Sequence, residues 1–133
     1  MPRDLKGFSI LEVIIVTIII GVLAALGLAS FAGPKEQVLD KEAQANLKLI
    51  ASAEKILRME MNSYRNCADT LAVNDDLRLM IPRNSPSWNY KVDSATASAF
   101  TAKAQRTSGP NAGRTFCINA IQDNATTGVG CNW

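Results

Sequence analysis

Hydrophobic residues fall along this chain in three different rhythms. In the first stretch, GFSILEVIIVTIIIGVLAALGLASFA from Gly7 to Ala32, they are nearly continuous, and Glu12 is the only charged side chain. Such a run matches the roughly 20 residues, at about 1.5 Å rise each, that a bilayer-spanning helix needs. From Lys35 to Tyr64 the period changes. Leu39, Ala43, Leu47, Ile50, Ala53, Leu57, Met61 and Tyr64 recur every three or four positions, which predicts an amphipathic helix with that stripe as its core face. Lys41, Lys48, Lys55 and Arg58 mostly point elsewhere, and Glu54 is spaced to reach Arg58 one turn on. The third rhythm has period two. Trp88, Tyr90 and Val92 alternate with Asn89, Lys91 and Asp93, and Phe100, Ala102 and Ala104 alternate with Thr101, Lys103 and Gln105, which predicts two strands. A third strand, Thr115 to Ile121, follows the turn-rich loop from Thr107 to Gly113 as the second arm of an antiparallel hairpin.

Between helix and strands, Asn62 to Asn66 has the composition of a helix end, and Pro82 and Pro86 discourage regular structure up to about Ser87. A short helix is expected within Asp69 to Met80. The pattern therefore reads as α+β: one long N-terminal helix, its first half transmembrane and its second half amphipathic, packed on a small antiparallel sheet of about three strands. An unbroken helix from Phe8 to Tyr64 would be roughly 85 Å long. A small globule cannot cover that length, so one end must meet lipid or other subunits.

Composition narrows the function classes. A chain of 133 residues has a single-domain length, and only about a hundred residues remain outside the apolar run to build a small core. The net charge of +2, with Lys and Arg scattered among acids, gives no basic face for a nucleic-acid partner. The absence of His removes His-based triads, His metal clusters and His pH switches. Arg3 and Lys6 form a short basic leader that the positive-inside tendency holds in the cytoplasm, placing everything after Ala32 on the far side.

Glu12 discriminates among readings of the apolar run. A secretory signal cleaved at Gly27-Leu28-Ala29 would leave a small secreted binding protein starting at Ser30. However, the run exceeds the ~7–15 residues of a signal-peptide core, and an acid at its fifth position suits a disposable signal poorly. A plain membrane anchor leaves the acid unexplained, because an unpaired carboxylate costs about 2.5–3.5 kcal/mol at the centre of a membrane helix and less near its end.

The heptapeptide Lys6-Gly7-Phe8-Ser9-Ile10-Leu11-Glu12, followed by a long apolar helix, resembles the prepilin signature of type IV pilins and of type II secretion pseudopilins. The resemblance implies cleavage after Gly7 by a membrane prepilin peptidase, methylation of the new Phe8 amine, and a mature chain of residues 8 to 133. It also implies that Glu12 of one subunit neutralises the Phe8 amine of its neighbour when helices bundle in a homo-oligomeric filament. Glycine at position 7 suits a backbone lying extended in a protease cleft. The implied organisation is a leader at 1–7, a transmembrane and filament-core helix at 8–32, an amphipathic half at 33–65, and a loop and sheet at 66–133, with 33–133 as the pilin head. The implied location is the inner membrane before assembly, with the head periplasmic, and then an extracellular pilus or periplasmic pseudopilus built by the corresponding machinery. Ala29 departs from the family, which often has proline there. Gly21 and Gly27, each up to about 1 kcal/mol worse in a helix than alanine, are the remaining weak points, and Pro34 after Gly33 is expected to give a mild bend.

Cys67, Cys117 and Cys131 would all lie on the exported side, where disulfides form. Pairing Cys117 with Cys131 closes a loop containing Thr126, Thr127, Gly128 and Gly130, a closure credited with about 3 kcal/mol. It also resembles the C-terminal disulfide loop of many type IV pilins. Cys67 is then free, or it is the alternative partner of either of the others. With no His to activate it, a leftover thiol is a poor nucleophile. Asp123 and Asn124 are too few oxygen ligands to define a calcium site, and Asn124-Ala125-Thr126 is a short glycosylation sequon. The strand aromatics read as sheet core. No catalytic, cofactor-binding or metal residue is assigned, and an enzyme is not expected.

Overall fold

A computed structural model describes residues 7–27, 32–83, 87–127 and 131–133. The basic leader with Arg3 and Lys6, the Ala29 and Ser30 positions, Pro86, Gly128 and Gly130 lie outside the described residues. The chain divides into two units, Met1–Gln37 and Val38–Trp133.

In the first unit, α1 runs Ile10–Gly27, and none of its 18 residues is buried. It is long and apolar enough to cross a membrane. A second helix, α2, runs Ala32–Met61. Pro34 is its third residue, a first-turn position whose N–H would have no intrahelical partner, so the ring costs the helix no hydrogen bond.

In the second unit, α2 stops where Asn62 adopts left-handed backbone, φ 57°, and Asn62 N–H closes the last turn on Arg58 O at 2.8 Å. Helix α3, Thr70–Leu77, is set at both ends: Asp69 accepts from Ala72 N–H, and Arg78 ends the helix in the left-handed region. Strands β1 Trp88–Asp93, β2 Thr101–Arg106 and β3 Thr115–Asn119 form an antiparallel sheet in the order β1-β2-β3. The β2–β3 loop turns at Gly109 and Gly113, with φ of 91° and 85°, values that suit glycine because it lacks a Cβ.

Register explains the core. Val92, Ala102 and Ile118 lie across the sheet in one row, and Tyr90, Ala104 and Phe116 in the next. Alanine on the middle strand leaves room above the sheet, and Ala43, Leu47, Ile50 and Ala51 of α2 join the same buried cluster as these residues and Trp88. Each outer strand also makes one bridge to a loop, Cys67 with Val92 on β1 and Cys117 with Thr126 on β3, which partly blunts the exposed edges.

Three expectations need correction. Met61 and Ile121 are exposed, and β3 ends at Asn119. Tyr64 is buried but lies beyond α2, folded back against Phe100 with ring centroids 4.7 Å apart. Glu54 does not point to Arg58. It lies four residues after Ile50 and three after Ala51, on the buried face, while Arg58 donates to the Tyr64 hydroxyl at 3.1 Å.

One side chain holds the loop after α3. Buried Asn74 donates from Nδ2 to Ile81 O at 2.8 Å and accepts from Ile81 N–H at 2.9 Å. Asn74→Ala strands both backbone groups, so a loss on the order of 2–4 kcal/mol is expected. Denaturant titration of the detergent-solubilised chain, followed by tryptophan fluorescence, measures it, and a loss below about 0.5 kcal/mol would refute the assignment.

Candidate functional site

The sequence-selected residues gather at the start of α1. Gly7 is exposed, and a Cβ built on it would meet nothing within 4 Å, so the fold itself places no demand for glycine there. Phe8 is 79% exposed. Ser9 O accepts from Glu12 N–H at 3.0 Å and from Val13 N–H at 3.2 Å, which starts the helix. Glu12 therefore lies in the first turn of α1, exposed to its surroundings.

That location gives the acid a local role which the sequence reading missed. Unbonded N–H groups at a helix start carry partial positive charge and favour a carboxylate by about 0.3–1 kcal/mol. The Ser9-Ile10-Leu11-Glu12 spacing is that of a capping box and could have signalled it. The cost of an unpaired acid, roughly 2.5–3.5 kcal/mol at mid-membrane, falls towards the helix end where Glu12 lies, so this local support offsets part of it. Thr17, the other polar residue well inside α1, is satisfied within the helix by donating to Ile14 O at 2.9 Å. Gly21 and Gly27 lie within and at the end of α1 with open space around them.

The second unit carries the cysteines. Cys117 is bonded to Cys131, 14 residues on, and Cys67 is a free, buried thiol. The disulfide holds the tail over the outer sheet face. There Lys91 and Lys103 are directly opposed in register, a repulsive arrangement that Asp93 relieves with contacts of 3.0 and 3.2 Å. Burial works to raise the Asp93 pKa, but the two ammonium groups outweigh it and hold the carboxyl below its usual value. Lys103 also donates to Asn132 O at 2.6 Å, and Lys91 sits 4.6 Å from the Trp133 ring centroid.

Cys67 belongs to a partly buried polar cluster that sequence reasoning did not find. Buried Glu54 accepts from Arg65 N–H through Oε2 at 3.0 Å, and Arg65 Nε lies 3.4 Å from Asp76 Oδ1. Cys67 Sγ is 3.9 Å from Asp76 Oδ2. Burial, then the charges of Glu54 and Asp76, push the thiol pKa up to about 12, which keeps it protonated and poorly nucleophilic at neutral pH. Among the described residues there is no group of three or more His, Cys, Asp or Glu side chains able to hold a metal ion.

An α+β head attached to an apolar helix that its own unit leaves uncovered is a pilin-like architecture. No family model matches the chain. It is 29% identical over 112 residues to the type IV major pilin protein PilA of Myxococcus xanthus, covering 84% of this chain and 47% of that one. It is 30% identical over 87 residues to the type II secretion system core protein G of Pectobacterium carotovorum, covering 64% and 56% respectively. The corresponding Dickeya chrysanthemi protein is 28% identical over 92 residues, covering 68% and 60%. The chain thus spans about half the length of these relatives. The chain is thus similar in sequence to a type IV major pilin and to two type II secretion core G proteins.

The cluster has a measurable proton linkage. Burial is the largest influence on Glu54 and raises its pKa above the ordinary 4.5, against the Arg65 N–H bond. The folded state then holds this proton more tightly than the unfolded chain, so Glu54 weakens the fold as pH rises from 4.5 through the raised value. Glu54→Gln should remove that part of the pH dependence. Asp93 acts in a separate window, below its ordinary 3.8. Denaturation midpoints of both proteins from pH 4.5 to 7.5 provide the check; parallel curves would contradict the linkage.

Proposed function

We propose that the chain is a structural subunit of a type IV pilus-like filament, cleaved after Gly7 and assembled through its N-terminal helices. The observation that carries this reading is α1: 18 residues with none buried, an apolar surface that needs lipid or other copies of itself to cover it. In the membrane form the helix is an anchor; in the filament form neighbouring helices replace the lipid. Glu12 then pairs with the Phe8 amine of an adjoining subunit, and in a low-dielectric bundle the loss of either partner leaves a buried charge, a destabilisation of about 3–5 kcal/mol. The head adds a disulfide-closed surface, and no chemical step is assigned to it.

A second reading is a type II secretion pseudopilin, favoured by the similarity to two type II secretion core G proteins. Surface fibres that vanish with the gene favour the pilus; loss of protein export without loss of fibres favours the pseudopilus.

Mass spectrometry of the mature chain should find N-methyl-Phe8 as the first residue, whereas a chain starting at Ser30 would point to the secreted-protein reading. Glu12→Ala should still insert in the membrane but yield no filaments by electron microscopy, and normal fibres from that variant would contradict the charge pairing.

A further inference from the structure

The two edges of the sheet are protected unequally. Along the free side of β1, Val92 exchanges both backbone bonds with Cys67, and Tyr90 N–H donates to Thr70 Oγ1 at 3.0 Å. Lys91 and Asp93 add charges to that strand, a further deterrent to a foreign strand. Strand β3, Thr-Phe-Cys-Ile-Asn, has neither charge nor proline. Cys117 N–H and O are bonded to Thr126, each at 2.9 Å, so they point away from β2. By the alternation of an antiparallel strand, the backbone groups of Thr115 and Asn119 face the same way. Among the described residues, no backbone bond reaches them from that side. A recess of about 650 Å³ lies beside the start of this edge, lined by Asp40, Gln44, Arg114, Thr115, Phe116 and Thr127.

We propose that the C-terminal tail guards the β3 edge, that the Cys117–Cys131 disulfide holds this guard in place, and that with the disulfide open the edge pairs with β3 of a second copy. The segment carrying Thr126 has little else to hold it: Ala125 packs against the core, and Ile121 is exposed. Beyond the disulfide, the tip keeps polar contacts to Lys103 and Lys91. A second β3 fits the edge through its own symmetry. Antiparallel pairing about Cys117 sets Cys117 opposite Cys117 and Thr115 opposite Asn119 at both ends, a longer ladder than the bridge to Thr126, with no like charges opposed. Strand β1 is a poorer partner, because its outward groups at Tyr90 and Val92 are already bonded. A dithiol reductant opens the disulfide in two exchanges. One thiolate forms a mixed disulfide and frees the first cysteine; the second closes the reductant into a ring and frees the other, each cysteine taking one electron and one proton. The chain before oxidation is in the same state.

The test compares the full chain in detergent with the disulfide intact, after reduction by a dithiol, and as Cys131→Ser. Amide exchange by NMR and mass by sedimentation are followed over a range of protein concentrations. Opening the disulfide should release the Thr126 amide and, as concentration rises, slow exchange at Thr115 and Asn119 by about tenfold or more while the mass doubles relative to the oxidised chain. Buried Cys67 should stay closed to alkylation, which reports an intact core. Thr115→Pro removes a donor that faces away from β2, so its oxidised form should fold as before and its reduced form should gain no mass. A Thr126 amide that stays protected after reduction overturns the proposal, because the tail then needs no tether or has exchanged between copies. A freed Thr126 with no gain in mass or protection at any concentration overturns the second copy as partner. Association accompanied by Cys67 alkylation also overturns it, by assigning the contact to unfolded chains.

Discussion

The structure depends on one constraint: α1 has an apolar surface that nothing in its own unit covers. A small domain buries its hydrophobic residues against a sheet or a second helix, and α2 does so through Ala43, Leu47 and Ile50. Helix α1 has no such partner among the described residues. In the proposed subunit its surroundings are lipid or other helices, and the exchange of one for the other describes assembly. Hydrophobicity alone is indifferent between the two, because lipid tails and apolar side chains are similar solvents. A directional contact must decide register.

The two acids on the helices illustrate different uses of a carboxylate. Glu54 is buried inside the head, with a backbone N–H donating to Oε2 and a pKa raised by burial. It is a local feature, coupling the end of α2 to the segment that folds back after Asn62. Glu12 is exposed at the start of α1, where the helix terminus offers it only modest support. In the proposed filament, a neighbour's Phe8 amine would supply the directional contact that apolar packing lacks. The disulfide and the Lys91–Asp93–Lys103 arrangement then secure the tail of a head that has few apolar residues beyond residue 119 to hold it.

Most of the architecture was legible because each element has a strong period. The alternation from Trp88 to Asp93 and from Phe100 to Gln105 marks two strands, observed at Trp88–Asp93 and Thr101–Arg106, because one face of the sheet is more deeply buried than the other. Turn residues likewise place the hairpin. What could not be read was long-range. Glu54 looked like a surface partner for Arg58 because local spacing says nothing about a chain that reverses at Asn62 and offers Arg65 N–H to it. The bonds of Asn74 with Ile81, and of Tyr90 N–H with Thr70, are tertiary contacts of the same kind. At the N-terminus the signature selected Gly7, Phe8 and Glu12, and the open space around Gly7 shows no packing reason for that glycine among the described residues.

Mixed filaments offer the most direct measurement of the central claim. Subunits labelled with ¹⁵N at the Phe8 amine, co-assembled with subunits labelled with ¹³C at the Glu12 carboxyl, report only contacts between different copies. Solid-state dipolar recoupling should detect a nitrogen–carbon separation of about 4 Å, that of a direct ion pair. Dephasing no greater than that of an unlabelled control would place the two groups apart and contradict the account.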